Sequence, residues 1–149
     1  MSPQEVTASA VISFAGKLEE DSSKFYETLA AKFAGNKEQF LSFAEESRKS
    51  KILILRTYQE TITDALEAGF CFKVLNLENY MISTTLGKAM SFSAALKLAI
   101  DTEQKAFQFY STITDISKGL LATITMAFKR VAERRKNREL TLRMLAKRA

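Results

Sequence analysis

The two halves of the sequence repeat the same residue patterns, and this repetition constrains the fold more than any other feature. The pattern Glu-x5-Phe-Tyr begins at Glu19 and again at Glu103, 84 positions later. A second pattern, Phe-x2-apolar-Ala-Glu, occupies positions 40–45 and recurs at 128–133, offset by 88. Repetition on this scale is typical of duplicated helical units. We therefore expect two related helical hairpins that differ by a short insertion.

Composition favours a helical protein. The chain has 149 residues, enough to bury a core, and we expect residues 1–149 to form one domain. Five glycines and one proline are few for a β-rich or disordered chain. No apolar run approaches the roughly 20 residues that span a bilayer, and no signal-peptide pattern begins the chain, so we expect a cytoplasmic protein without a membrane partner. The lone Cys71 excludes an intrachain disulfide.

Apolar residues recur every three or four positions over four segments, which predicts four helices. The predicted helices cover about 7–34, 37–68 (before Gly69), 91 or 93 to 117, and the segment from Gly119 almost to the C-terminus. Gly35-Asn36 predicts a left-handed helix stop and a short turn. The long connection over 70–90 suits a packed crossover. Together these features predict an all-α four-helix bundle of two hairpins joined by that crossover.

Polar side chains interrupt the apolar stripes at mid-helix. The interrupting residues are Glu19 on helix 1, Ser47 and Ser50 on helix 2, Glu103 on helix 3, and Arg135 and Arg138 on helix 4. A buried charge is costly unless it is paired, and the guanidinium group of arginine matches the geometry of a carboxylate. We therefore expect a buried Glu–Arg cluster to which the two serines add hydrogen bonds. The alternative for each charged residue is a side chain that reaches the surface.

These residues and their order resemble the ferritin-like superfamily, in particular its rubrerythrin-type branch, from about Thr7 to Leu145. In that family helices 1 and 3 each supply a glutamate, and helices 2 and 4 each supply Glu-x2-His, which together hold two iron ions. The resemblance assigns Glu19 and Glu103 to the single glutamates. It places Ser47 and Ser50, and likewise Arg135 and Arg138, at the Glu-x2-His positions. Tyr26 and Tyr110 would lie beside the site.

The chain departs from the family pattern where iron would bind. It has no histidine at all, and two arginines replace potential ligands. Two glutamates are too few for a di-iron pair, and the guanidinium groups would repel a cation. The prediction is therefore a rubrerythrin-like bundle with a degenerate metal site, no catalytic residues and no expected cofactor. If any metal binds, Glu19 and Glu103 would be its ligands.

Two other functions stay open at the level of the sequence. An altered site for iron or another metal, including that of an oxidoreductase, would use Glu19 and Glu103 with Glu45 or Asp101. Tyr26 and Tyr110 would then be redox or hydrogen-bonding partners. A shift of the alignment by two would instead assign the ligand role to Glu45 and Glu133.

The second alternative is binding through the C-terminal segment. Residues 129–149 hold nine basic and two acidic residues, a net charge of +7. Such a segment can contact an acidic partner or nucleic acid, and the two arginines could hold a small anion. Nucleic acid is the less favoured partner because no aromatic residues alternate with the basic ones. We also expect a homodimer that uses Phe70, Phe72 and Tyr80.

Overall fold

Four long α-helices dominate the computed structural model, which describes residues 6–61, 71–72, 76–117 and 122–148. The helices are α1 (Ala8–Lys32), α2 (Lys37–Thr61), α3 (Phe92–Ser117) and α4 (Ala122–Arg148). Short 3-10 turns cover Ala34–Asn36 and Leu77–Tyr80. The predicted all-α architecture with four helices is confirmed. The predicted helix boundaries at Ala68, Gly69 and Gly119 lie outside the described residues.

Side-chain caps fix where two of the helices begin. The Thr7 hydroxyl accepts a hydrogen bond from the backbone N–H of Ala10 at 3.1 Å, so α1 begins after Thr7. In the same way, the Ser91 hydroxyl accepts from the N–H of Ala94 at 3.1 Å. Each bond satisfies one backbone donor that has no partner within its own helix. Of the two predicted starts of the third helix, at residue 91 or 93, the structure has the one at Ser91.

The predicted left-handed stop at Gly35 was wrong. Gly35 does not have a positive φ. Instead, α1 ends at Phe33, whose N–H donates to the carbonyl of Leu29 at 2.8 Å. The N–H of Asn36 then donates to the carbonyl of Phe33 at 3.1 Å, and the chain passes through a 3-10 turn into α2. The chain leaves the helical conformation at Phe33, with φ −123° and ψ 76°, so the turn needs no left-handed residue at Gly35.

The four helices form two antiparallel hairpins. Helix α1 packs along α2, α3 packs along α4, and α2 packs against α4. The Phe33 and Phe92 rings lie 5.1 Å apart, so the end of α1 and the start of α3 share one end of the bundle. Because α1 and α2 are joined by a short turn, α2 ends at the opposite end. The connection from α2 to α3 must therefore run the length of the bundle.

Contacts of residues 76–91 follow this path. Near its beginning, the Tyr80 hydroxyl bonds to the Thr112 hydroxyl at 3.3 Å, close to the end of α3. Near its end, the Lys32 ammonium donates to the carbonyls of Gly87 and Lys88, both at 3.0 Å, close to the end of α1. The connection thus passes along α1 and α3 between the two hairpins. This is the crossover topology that the length of the connection predicts.

A two-residue strand pairing adds to the helices and was not predicted. Val6–Thr7 pairs antiparallel with Cys71–Phe72, with Val6 opposite Phe72 and Thr7 opposite Cys71. Two residues are too few to give an alternating pattern that sequence analysis can recognise. The pairing ties the chain before α1 to the connection after α2.

The core of the described structure consists of two apolar clusters. Between them lies a polar layer, which includes Glu19, Ser47, Glu103, Arg135 and Arg138. One cluster includes Ile12, Ile54, Tyr110 and Phe128, and the other includes Tyr26, Leu29, Phe40, Ala99 and Leu142. In each helix the residues of the polar layer fall between members of these two clusters along the chain. None of the helices in the described part of the chain has the length and apolar composition needed to cross a membrane.

Candidate functional site: a buried glutamate–arginine cluster

The polar layer contains two carboxylates and two guanidinium groups that are removed from solvent. Glu19 of α1, Glu103 of α3 and Arg135 of α4 are 0% exposed, and Arg138 is 1% exposed. All four occupy positions on the apolar stripes of their helices, so helix packing brings them inward. The alternative interpretation of the sequence required side chains that reach the surface. Neither arginine does so.

Arg135 joins the two glutamates. Its Nη1 donates to Oε1 and Oε2 of Glu103 at 2.6 and 2.7 Å. Its Nη2 donates to Glu19 Oε2 at 2.7 Å and to the Ser22 hydroxyl at 2.9 Å. The guanidinium group therefore lies between the carboxylates of α1 and α3 and links the two hairpins. Charge-assisted bonds of this length are the stronger class of protein hydrogen bond.

Arg138 extends the cluster toward α2. Its Nη1 donates to Glu103 Oε1 at 3.1 Å and to the Ser47 hydroxyl at 3.0 Å. Its Nη2 and Nε both donate to Oε1 of Glu46, at 2.7 and 3.2 Å. The guanidinium carbon also lies 5.4 Å from the Tyr26 ring centroid and 5.5 Å from that of Phe43. Arg138 thus contacts carboxylates, a hydroxyl group and two aromatic rings.

The two predicted serines differ in their roles. Ser47 accepts from Arg138 and belongs to the cluster, whereas Ser50 accepts from Nη1 of Arg134 at 2.9 Å. Ser50 is buried, but neither Arg135 nor Arg138 bonds to it in the described structure. Arg134 lies next to Arg135 in sequence and faces α2. Ser50 lies one turn after Ser47 on α2 and therefore pairs with Arg134 instead. The expectation that Ser50 contributes to the Glu–Arg cluster was therefore wrong.

Sequence analysis also missed two members of the cluster, Ser22 and Glu46. Ser22 follows Glu19 by three positions on the buried stripe of α1, so its helical spacing could have identified it. Its hydroxyl donates to the Leu18 carbonyl at 2.7 Å and accepts from Arg135. Glu46 has a side chain that is 36% exposed, at the margin of the interior. No periodic signal marks a residue at that boundary.

The two tyrosines of the repeat are both fully buried but bond differently. The Tyr110 hydroxyl donates to Glu19 Oε2 at 2.5 Å. The Tyr26 hydroxyl has no hydrogen-bond partner among the described residues. Burial raises the pKa of both phenols well above the usual value, and the charges of Glu103 near Tyr26 and of Glu19 near Tyr110 add to the effect.

The fully buried charges of the cluster balance. Two buried carboxylates face two guanidinium groups, and Glu46 adds a carboxylate at the rim. Burial disfavours the charged form of Arg135, but Glu103 and Glu19 outweigh this cost and raise its pKa well above the usual value. Arg138 follows the same pattern, with burial opposing and Glu103 favouring the cation. Both arginines are therefore permanent cations.

Two further atoms of the cluster, besides the Tyr26 hydroxyl, are buried without a hydrogen-bond partner in the described part of the chain. They are Glu19 Oε1 and Arg135 Nε. Glu19 also borders a polar surface cavity of about 290 Å³ between α1 and α2, which Ser23, Glu27 and Arg48 line as well. Unpaired buried polar atoms cost free energy, and the remaining bonds of the cluster offset it.

The residues at the candidate metal positions do not fit a di-iron centre. Arg135 already supplies a positive charge between Glu19 and Glu103. The Glu-x2-His positions hold hydroxyl and guanidinium groups, whereas iron in such a site needs carboxylates and imidazoles. Within the described ranges, no group of three or more acidic or cysteine side chains is arranged to hold a metal.

The acidic residues of the alternative metal site lie elsewhere. Glu45, Asp101 and Glu133 are exposed, whereas Glu19 and Glu103 are buried. Glu45 pairs instead with Arg48 on its own helix at 2.9 Å. These residues therefore do not join the two buried glutamates, and a shift of the alignment by two would turn the ligands outward.

Part of the C-terminal positive charge is paired within the protein. Five of the nine basic residues in 129–149 bond to side chains of this chain: Arg134 to Ser50, Arg135 and Arg138 within the cluster, and Lys136 and Arg143 to Glu139. Lys129, Arg130, Lys147 and Arg148 are exposed on α4. Only Arg135 and Arg138 among these basic residues are buried, so the bundle interior accounts for part of the basic character of the segment.

Comparisons of the chain with protein-family models, with curated proteins and with solved structures found no match.

Proposed function

We propose that this protein is a ferritin-like, rubrerythrin-type bundle whose metal site has been replaced by an ion-pair cluster, and that its role is non-catalytic. The observation that carries the proposal is the position of Arg135. Its guanidinium group lies between two buried carboxylates, one from the first helix and one from the third. In the related architecture this is where a carboxylate-bridged metal pair is held.

The helix connectivity supports the same proposal. Two antiparallel hairpins and a crossover along the bundle form the topology of one-crossover bundles of the ferritin type. The burial of Glu19, Ser47, Glu103 and Arg138 on four separate helices supports the proposal, because ligands in such bundles also project inward from all four helices. Fold alone does not carry activity, so the inference about function rests on the cluster.

A non-catalytic role follows from the chemistry of the cluster. The two guanidinium groups are permanent cations and bind carboxylates that a reaction would need free. Because the Nη atoms of both arginines already donate to protein carboxylates and hydroxyls, they also offer little to a small anion. What remains for function is the surface of the bundle.

Metal analysis of the purified protein tests the proposal. After incubation with ferrous iron and removal of excess metal, we expect far less than one iron per chain by mass spectrometry. About two irons per chain, the usual complement of the related sites, would contradict the proposal. The experiment should include cobalt and zinc, because an altered site with different ligands could prefer a metal other than iron.

A variant with restored ligands sharpens the test. Ser47→Glu, Ser50→His, Arg135→Glu and Arg138→His together reproduce the Glu-x2-His pattern on α2 and α4. We expect the folded variant to bind cobalt with visible absorption, while the wild-type chain under the same conditions does not. A well-folded variant that binds no metal would show that these positions do not correspond to the metal site.

The predicted homodimer stays a prediction. Tyr80 packs its ring 5.7 Å from that of Phe109 and bonds to Thr112, and its side chain stays partly exposed. The side chains of Phe70 and Phe72 lie outside the described residues. Sedimentation velocity over a range of concentrations would establish the oligomeric state.

A further inference from the structure

A cavity of about 230 Å³ lies between α1 and the start of the crossover, separate from the buried cluster. Phe14 and Leu18 line it from α1, and Leu77, Met81 and Ile82 line it from the crossover. The Lys105 ammonium donates to the Met81 carbonyl at 3.3 Å and holds the crossover beside α3. The cavity is therefore formed by elements that other contacts keep in place.

The size and lining of the cavity suit a small apolar group. The described residues of its wall supply aliphatic side chains, one aromatic ring and the thioether of Met81, a residue that is 61% exposed. An apolar protein cavity of about 150 Å³ accommodates a benzene molecule. The larger volume here accommodates a ring with a short chain, or an alkyl chain of about six carbons.

Charged residues at the rim indicate the sign of the ligand. Asp21, Glu78 and Lys17 border the cavity, which gives two carboxylates and one ammonium group. The Lys17 ammonium already pairs with Asp21 at 3.2 Å. No cation among the described residues pairs with Glu78. The described residues of the rim therefore carry one more negative than positive charge, next to an apolar wall.

We propose that this cavity binds a small primary ammonium compound with an apolar tail, such as an alkylamine or an arylalkylamine. The tail packs against Phe14, Leu18 and Leu77, and the ammonium group lies at the rim near Glu78. A carboxylate of the same size meets an uncompensated like charge, and a neutral alcohol gains only the apolar contact. Binding here goes beyond the non-catalytic role of the bundle and is independent of its metal content.

An NMR titration tests the proposal with three probes of equal length: hexylammonium, hexanol and hexanoate. Each is added up to about 10 mM, a range that detects millimolar affinity. We expect saturable shifts at the cavity residues, with hexylammonium binding about fivefold more tightly than hexanol and hexanoate binding most weakly. Absence of saturable shifts with hexylammonium would overturn the proposal, and so would equal binding of the three probes.

Two variants assign the interaction to the cavity. Glu78→Gln should reduce the preference for hexylammonium over hexanol to less than about twofold, because it removes the unpaired charge. Glu38→Gln makes the same charge change on α2, near the opposite end of the bundle, and should keep the preference. Met81→Trp places bulk at the exposed mouth and should weaken all three probes. Equal behaviour of the two glutamine variants would contradict a specific role of the rim.

Discussion

The two hairpins carry the same repeated pattern but contribute opposite halves of the buried cluster. From α1 and α2 come acceptors for the two guanidinium groups: Glu19, Ser22, Glu46 and Ser47. From α3 and α4 come both guanidinium groups, together with Glu103. The first hairpin on its own would leave Glu19 without a cation, so the cluster is complete only when the hairpins dock.

This asymmetry indicates what the interior polar layer does. An ion pair buried between duplicated halves adds little net stability compared with apolar residues of similar size, since desolvation offsets attraction. However, a packing arrangement that separates the carboxylates from the guanidinium groups leaves buried charges unpaired and is therefore unfavourable. We interpret the cluster as a device that fixes how the hairpins dock. The following substitutions test this comparison between the halves.

The largest effect is expected from removal of the cation that joins the halves. Arg135→Met leaves Glu19 and Glu103 buried with only Arg138 to compensate them, and should lower the free energy of unfolding by about 3–5 kcal/mol. Urea denaturation followed by circular dichroism measures the change. Arg143→Met is the matched control on the same helix, because Arg143 is 46% exposed and pairs with Glu139. It should cost less than about 1 kcal/mol.

A compensating substitution separates charge from packing. Glu19→Gln in the Arg135→Met background restores the balance between carboxylates and guanidinium groups, because Glu103 and Arg138 then remain as a pair. The double variant should be more stable than Arg135→Met alone, although the single change Glu19→Gln is destabilising. If the two losses simply add, the charge interaction between the hairpins does not explain the stability.

The repeated tyrosines give a direct comparison between the halves. Tyr110→Phe removes a hydroxyl that donates to the Glu19 carboxylate, and should cost about 1.5–3 kcal/mol. Tyr26→Phe removes a buried hydroxyl without a partner in the described structure, and should be neutral or slightly stabilising. Thermal and urea unfolding of both variants measures the difference. Equal losses would mean that the repeat is symmetric in its hydrogen bonding after all.

Alkaline pH tests the same tyrosines without substitution. Their pKa values are raised in the folded state, because burial disfavours the phenolates, so the unfolded chain loses these protons first. This contribution to stability is complete below pH 10 and is lost as the pH rises above it. Two such groups should lower the free energy of unfolding by about 2 kcal/mol between pH 10 and 11.

Denaturation at several pH values, with phenolate absorbance as the second signal, measures this loss. The Tyr26→Phe, Tyr110→Phe double variant should show a flatter decline above pH 10 than the wild-type chain. An unchanged decline would assign the alkaline sensitivity to other groups.

Most of the fold was predictable because periodic burial determines helix faces. The polar residues that interrupt the apolar stripes, Glu19, Ser47, Ser50, Glu103, Arg135 and Arg138, are all buried. The same periodicity placed Glu19, Glu103, Arg135 and Arg138 inside, where the cost of an unpaired charge required them to meet. The long connection predicted the crossover because a short loop would not reach along the bundle.

The remaining details depend on geometry that periodicity does not contain. Whether Ser50 bonds to Arg135 or to Arg134 depends on the rotation of α4 against α2, and a one-residue difference changes the partner. Glu46 enters the cluster because Arg138 points toward the margin of the interior. The strand pairing of Val6 and Thr7 depends on the position of Cys71 and Phe72, which helical periodicity does not predict.

The smallest expected effect distinguishes the two serines of α2. Ser47→Ala removes an acceptor from the fully buried Arg138 and should cost about 1 kcal/mol, since no solvent replaces it. Ser50→Ala removes the acceptor of Arg134, which is only partly buried and can turn toward water, so it should cost about half as much or less. Urea denaturation of the two variants side by side measures the difference, because both changes delete the same atom from the same helix. A larger loss from Ser50→Ala would mean that Ser50, rather than Ser47, supports the buried guanidinium groups.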